Sequence, residues 1–173
     1  MKPVLILAII ISISFSGAYA QHLKSVKGHE NNPYYSNTDT KHLSVSSAEW
    51  KKILPPALYA TAREQATERP FTGKYWNASA KGTYYCAVCG NKLFRSDAKF
   101  ASDCGWPSFF EPVGKNSVIY HNDNSAGMHR TEVICARCDS HLGHIFDDGP
   151  PPSHKRYCMN SVSLDFQPDG LGK

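Results

Sequence analysis

The strongest apolar block stands at the start of the chain: Val4 to Phe15 (VLILAIIISISF), preceded by Lys2 and followed by Ala18-Tyr19-Ala20. Its 12 residues fall short of the ~20 that span a bilayer, so residues 1–20 read as a cleavable export signal, with a membrane anchor as the rival reading. Residues 21–45 are polar, aperiodic and rich in Asn, Ser and Lys, the pattern of a flexible linker. Ser46-Ser47-Ala48-Glu49 then offers a capping box, and Trp50, Ile53 and Leu54 follow at helical spacing. Pro55-Pro56 ends that helix and opens a second short one over Ala57 to Ala66. From Phe71 onward the pattern changes to short β-rich runs broken by Gly, Pro, Asn and Asp: Gly82–Cys86, Ser117–His121, Arg130–Cys135 and Tyr157–Phe166. An antiparallel, mainly β domain over 46–169 with short N-terminal helices is expected.

Composition narrows the function classes. The 173 residues carry 19 Lys+Arg against 15 Asp+Glu, and removal of residues 1–20, with their single Lys, lowers the formal charge from +4 to +3. No Lys/Arg block concentrates that charge, which counts against a nucleic-acid partner. No second long apolar run exists, so no stable membrane association is expected of the mature chain, and one domain of its size is expected to be a monomer. Export would place it in the periplasm or outside the cell, where Asn77-Ala78-Ser79 is a glycosylation acceptor in a eukaryotic host.

Six cysteines carry the candidate chemistry, and all lie after the leader: Cys86, Cys89, Cys104, Cys135, Cys138 and Cys158. Cys86-Ala87-Val88-Cys89 and Cys135-Ala136-Arg137-Cys138 are two knuckles, each setting two sulfurs on a tight turn. Four thiolates complete a tetrahedral zinc shell and leave no position for water, so such an ion would be structural. The rival reading is a disulfide framework, in which six cysteines allow 15 pairings. A chain of this length buries an adequate core without such staples.

Cys104 and Cys158 fall outside the metal pattern, and two spare thiols suggest redox chemistry. Read as one strand, Tyr157–Phe166 puts Cys158, Asn160, Val162, Leu164 and Phe166 on one face. Arg156 shares that parity, and its charge would favour a Cys158 thiolate. Cys104 precedes Gly105-Trp106-Pro107, a sequence that forbids a regular element and reads as a loop presenting an aromatic wall beside a thiol. His141-Leu142-Gly143-His144 follows the second knuckle and offers imidazoles for proton transfer. A non-enzymatic zinc module that recognises its partner through the Trp106 loop is the alternative.

These segments, taken in order, resemble the methionine sulfoxide reductases of the B type, which reduce the R epimer of methionine sulfoxide. The resemblance covers roughly residues 46–166 and rests on Arg69-Pro70-Phe71-Thr72-Gly73, the first knuckle with Gly90, Cys104-Gly105-Trp106-Pro107-Ser108-Phe109, Cys138 to Phe146, Asp148-Gly149-Pro150 and Arg156 to Ser161. It implies two small antiparallel sheets, one structural zinc ion held by Cys86, Cys89, Cys135 and Cys138, methionine-sulfoxide-containing proteins as substrates, and a thioredoxin-like reductant as partner. Cys158 takes the place of the family's nucleophile and Cys104 that of its resolving partner, which implies a Cys104–Cys158 disulfide. Trp106 matches the wall for the substrate methyl group, and Phe109 and Asp148 complete the expected substrate-binding set. His141, His144 and Asn160 match the residues that bind or protonate the sulfoxide oxygen, with Arg156 in support. Where members often carry Asp-Ser-Gly and Pro, this chain has Ala101-Ser102-Asp103 and Asp147.

Overall fold

The structure, a computed structural model, describes residues 28–170. The leader and residues 21–27 of the linker lie outside the described residues. Helix α1 (Ser47–Ile53) begins where the sequence places it, with the Ser46 hydroxyl accepting from the Glu49 N–H at 3.2 Å. Helix α2 (Pro56–Glu64) has proline in its first turn and closes on Gln65, whose left-handed φ of 57° stops it two residues before Ala66.

Among the described residues nine strands follow: β1 (Gly82–Cys86), β2 (Lys92–Arg95), β3 (Lys99–Phe100), β4 (Ser108–Phe109), β5 (Val118–Asp123), β6 (Arg130–Cys135), β7 (His141–Phe146), β8 (Arg156–Met159) and β9 (Leu164–Pro168). They form a three-stranded sheet in the order β2-β1-β9 and a six-stranded sheet in the order β3-β4-β8-β7-β6-β5, with every pairing antiparallel. Aromatic side chains join the two. Phe94 of β2 stacks on Phe109 of β4 with centroids 4.4 Å apart, and Tyr84 of β1 meets Phe109 edge-on at 5.0 Å. All three are fully buried, and each such ring contributes about 1.5–3 kcal/mol by leaving water.

Two expectations need correction. Tyr157–Phe166 is not one strand: β8 stops at Met159, a 3₁₀ turn occupies Ser161–Ser163, and β9 resumes in the other sheet. The cause lies far off in the chain: the Glu68 carboxylate accepts the N–H groups of Ser161 (2.6 Å) and Val162 (3.1 Å) and pulls the backbone out of the ladder. Residues 28–45 form no helix or strand but do not hang free as a linker would. Asn32 donates to the Val88 carbonyl (2.8 Å), the Ser36 N–H donates to the Cys89 carbonyl (2.9 Å), and buried Arg137 holds the Tyr34 carbonyl and the Asp39 carboxylate. The polar residues that made this stretch read as a linker are the ones that satisfy its backbone on the domain surface. Among the described residues no helix is long and apolar enough to cross a membrane.

Candidate active site

Antiparallel pairing in the six-stranded sheet sets one straight row. Phe100, Ser108, Cys158, His144, Glu132 and His121 are successive cross-strand partners on β3, β4, β8, β7, β6 and β5. Direct partners share a face, so the thiol, an imidazole and a carboxylate leave the sheet side by side. Phe109 is one residue off this row, pairs with Tyr157 and points into the core. Its expected place among the substrate-binding residues is therefore corrected: the half-turn of a strand per residue puts it on the face opposite Cys158.

Cys104 reaches the row from the loop between β3 and β4. Its Sγ lies 3.5 Å from Cys158 Sγ, 3.4 Å from Ser108 Oγ and 3.6 Å from the Trp106 carbonyl oxygen. The loop turns at Gly105 with φ 86°, where a Cβ would come within 2.7 Å of Pro70 and 2.8 Å of the Phe71 nitrogen, so only glycine fits. The segment before Thr72 clamps it: the Phe71 N–H donates to the Gly105 carbonyl at 2.8 Å, and the half-buried Trp106 donates its indole N–H to the Glu68 carbonyl at 3.1 Å. Asn160 is buried with both ends of its amide in use, the oxygen accepting the Glu68 N–H (3.1 Å) and the nitrogen donating to the Leu142 carbonyl (3.2 Å).

The two thiols divide their charge unequally. Burial and the neighbouring Cys104 push Cys158 up to about 12, and Arg156 only partly opposes them. Arg156 acts in the expected direction, favouring the Cys158 thiolate, but is outweighed; its guanidinium is also held in a two-bond pair with Asp148, both contacts at 2.8 Å, and stacks over Phe146 at 4.4 Å. Burial also opposes ionisation of Cys104, but hydrogen bonds from Ser102, Ser108, the Trp106 backbone and Cys158 outweigh it and bring that thiol down to about 7. Of the two thiols Cys104 is therefore the easier to ionise.

Each histidine has a carboxylate. His141 Nδ1–H donates to Glu132 Oε1 at 2.6 Å, whose same oxygen accepts from Gln65 at 3.0 Å, and His141 Nε2 is buried without a partner. Burial pulls the His141 pKa down although Glu132 works the other way. His144 Nε2 lies 2.7 Å from Asp123 Oδ2, to which Arg130 also donates at 2.6 Å, and the two imidazoles meet edge-on at 5.4 Å. Glu68, Ser108, Asp123 and Glu132 are site residues that the sequence reading missed. The last three sit in register with, or two residues from, partners of the Cys158 row, a signal that exists only once strand pairing is known.

The remaining four cysteines come together elsewhere. Cys86 and Cys89 flank the turn after β1, and Cys135 and Cys138 flank the turn after β6, so the cluster fastens one sheet to the other. All four sulfurs are buried and lie within 4.8 Å of one another, close enough to hold one metal ion. Burial and the adjacent thiols push Cys86 and Cys89 well up.

The SelR domain family profile matches residues 54–168. The chain is 51% identical over 133 residues to the peptide methionine sulfoxide reductase MsrB of Agrobacterium fabrum, covering 77% of this chain and 98% of that one. It is 50% identical over 133 residues to the MsrB of Methanosarcina barkeri (77% and 94% covered) and 55% identical over 120 residues to that of Pseudomonas putida (69% and 90% covered).

Proposed function

The chain belongs to the SelR-domain family of B-type methionine sulfoxide reductases, and from that premise we propose how its own residues perform the reduction of peptide methionine R-sulfoxide. The observation that carries the reading is the 3.5 Å approach of the Cys104 and Cys158 sulfurs beside Trp106. Trp106 supplies the apolar wall for the methyl group of the substrate. The Cys158 thiolate attacks the sulfoxide, whose oxygen takes up a proton; the resulting hydroxyl passes to the Cys158 sulfur as its bond to the substrate sulfur breaks, so methionine leaves with the electron pair and Cys158 is left as the sulfenic acid, two electrons poorer.

A sulfoxide oxygen is a poor leaving group until protonated, so the reaction needs a donor at that point. His141 is that donor. Its Nδ1–H is committed to Glu132, so a proton at Nε2 exists in the doubly protonated ring, a form that burial disfavours and the Glu132 carboxylate partly restores. His144, braced by Asp123, orients the oxygen from the same face. Asn160 acts through the backbone it ties, holding Glu68 and hence the Trp106 indole in place. Arg156 and Asp148 neutralise one another at the rim and set the position of Phe146.

Cys104 then condenses with the sulfenic acid, giving the Cys104–Cys158 disulfide and water. A thioredoxin-like dithiol reopens it by exchange, since an oxidising compartment would not. The composition of residues 1–20 supports an exported enzyme. Zinc suits the four-cysteine cluster: a tetrahedral ion with Zn–S bonds of ~2.3 Å sets its sulfurs ~3.8 Å apart, and Cys86–Cys138 and Cys89–Cys135 stand at 3.7 and 3.6 Å. When bound, the ion ties the two sheets and takes no part in the chemistry. An assay with resolved epimers tests the function: the R-sulfoxide of a peptide methionine is consumed and the S epimer survives. Consumption of the S epimer alone would overturn the proposal.

A further inference from the structure

Ser108 is fully buried, and both partners of its hydroxyl belong to the loop that carries Cys104. Its Oγ stands 3.4 Å from Cys104 Sγ and 3.3 Å from the Trp106 carbonyl oxygen. Its strand partner, directly opposite on β8, is Cys158. A buried hydroxyl costs stability unless partnered, and this one faces a sulfur that must become an anion during the cycle. We propose that Ser108 is a positioning residue for disulfide formation: its O–H holds the Cys104 thiolate in line for attack on the Cys158 sulfenic acid. The inference rests on the roles of Cys104 and Cys158 proposed above.

The geometry explains why this donor is the one that serves. While Cys104 carries its proton, the thiol can give it to Ser108 Oγ, and the hydroxyl hydrogen points at the Trp106 carbonyl. Once the sulfur is charged, the same hydroxyl turns by rotation about its C–O bond and donates to Sγ. Arg156 is not placed to do this: its Nε and Nη2 go to Asp148, and its remaining hydrogen-bonding influence falls on Cys158. Ser102 also favours the Cys104 thiolate, but it belongs to the same loop as Cys104, where its Oγ accepts from the Cys104 N–H at 3.4 Å. Ser108 lies on β4, anchored between β3 and β8, so its hydroxyl has a fixed place in a site where Cys104 itself sits on a loop. In the step it serves, the electron pair of the Cys104 thiolate forms the S–S bond, the S–O bond of the sulfenic acid breaks, and the departing hydroxide takes a proton to become water. The sulfenic acid is the oxidant, and the preceding reduction of substrate supplies it.

The test is a single-turnover experiment with a peptide methionine R-sulfoxide on wild-type protein and on Ser108→Ala, following methionine release and the Cys104–Cys158 disulfide separately. The expected result is that the rate of disulfide formation divided by the rate of methionine release falls about tenfold in the variant, the effect of one hydrogen bond to a charged group. Dimedone should then trap more sulfenic acid on Cys158 than in wild type. An unchanged ratio would overturn the inference, and so would both rates falling together, which would mean that Ser108 acts through the packing of β4. If wild-type protein releases no methionine, the underlying function fails as well, a result distinguishable from either of these.

Discussion

His144 on β7 and Cys158 on β8 are direct cross-strand partners, so the imidazole and the thiol leave the sheet on the same face, one strand spacing apart. The next partner along the row, Glu132, accepts from His141. The groups proposed for acid–base work are thus placed by strand register rather than by loops, and a one-residue slip of β7 would carry both histidines to the other face of the sheet.

The Glu132–His141 pair makes a first prediction. His141→Ala should slow the chemical step by ~10²-fold. Glu132→Gln keeps the shape and an acceptor for Nδ1–H but removes the charge that supports the doubly protonated ring, so it should slow the same step roughly tenfold. Single-turnover release of methionine reads both. A Glu132→Gln variant at the wild-type rate would show that the buried carboxylate is only a packing element.

A second prediction concerns which sulfur is charged at rest. The Cys104 thiol ionises at about 7 and Cys158 at about 12, so as pH rises the thiolate appears first on Cys104. Brief treatment with iodoacetamide at about pH 7.5 should label Cys104 ahead of Cys158, because the thiolate is the reactive form. The labelling rate should climb through about pH 7 rather than near the ordinary thiol value of about 8.5. Peptide mapping checks this, and labelling of Cys158 first would contradict the charge assignment.

The four-cysteine cluster gives a third. Purified protein should carry one zinc per chain, and Cys86→Ser should lose it. Loss of a structural metal typically costs about 4 kcal/mol or more, which for a chain of this size lowers Tm by roughly 10 °C. Metal analysis with thermal unfolding measures both. Full thermal stability in a metal-free variant would show that the sheets hold together without the ion.

Much of this was legible in the sequence because it is written in short-range patterns. The Ser46 cap, the proline pair, the two Cys-x-x-Cys turns and the glycine beside Cys104 each act on their own neighbours, and their residues stand where the patterns place them. What could not be read depends on distant partners. Two-residue strands such as β3 and β4 have too few positions to show alternation, and β7 hides its alternation behind Gly143. The break at Asn160 comes from Glu68, nearly a hundred positions upstream in the chain. Phe109 lies in the same motif as Trp106, and only its register with Tyr157 reveals that it faces the core.

The most direct check on the whole account is single-turnover reduction of a peptide methionine R-sulfoxide by three proteins: wild type, Cys158→Ser and Cys104→Ser. Cys158→Ser should release no methionine. Cys104→Ser should release one equivalent and then stop under a thioredoxin-type reductant, its sulfenic acid left without a partner. Methionine release by Cys158→Ser at the wild-type rate would contradict the account at its root.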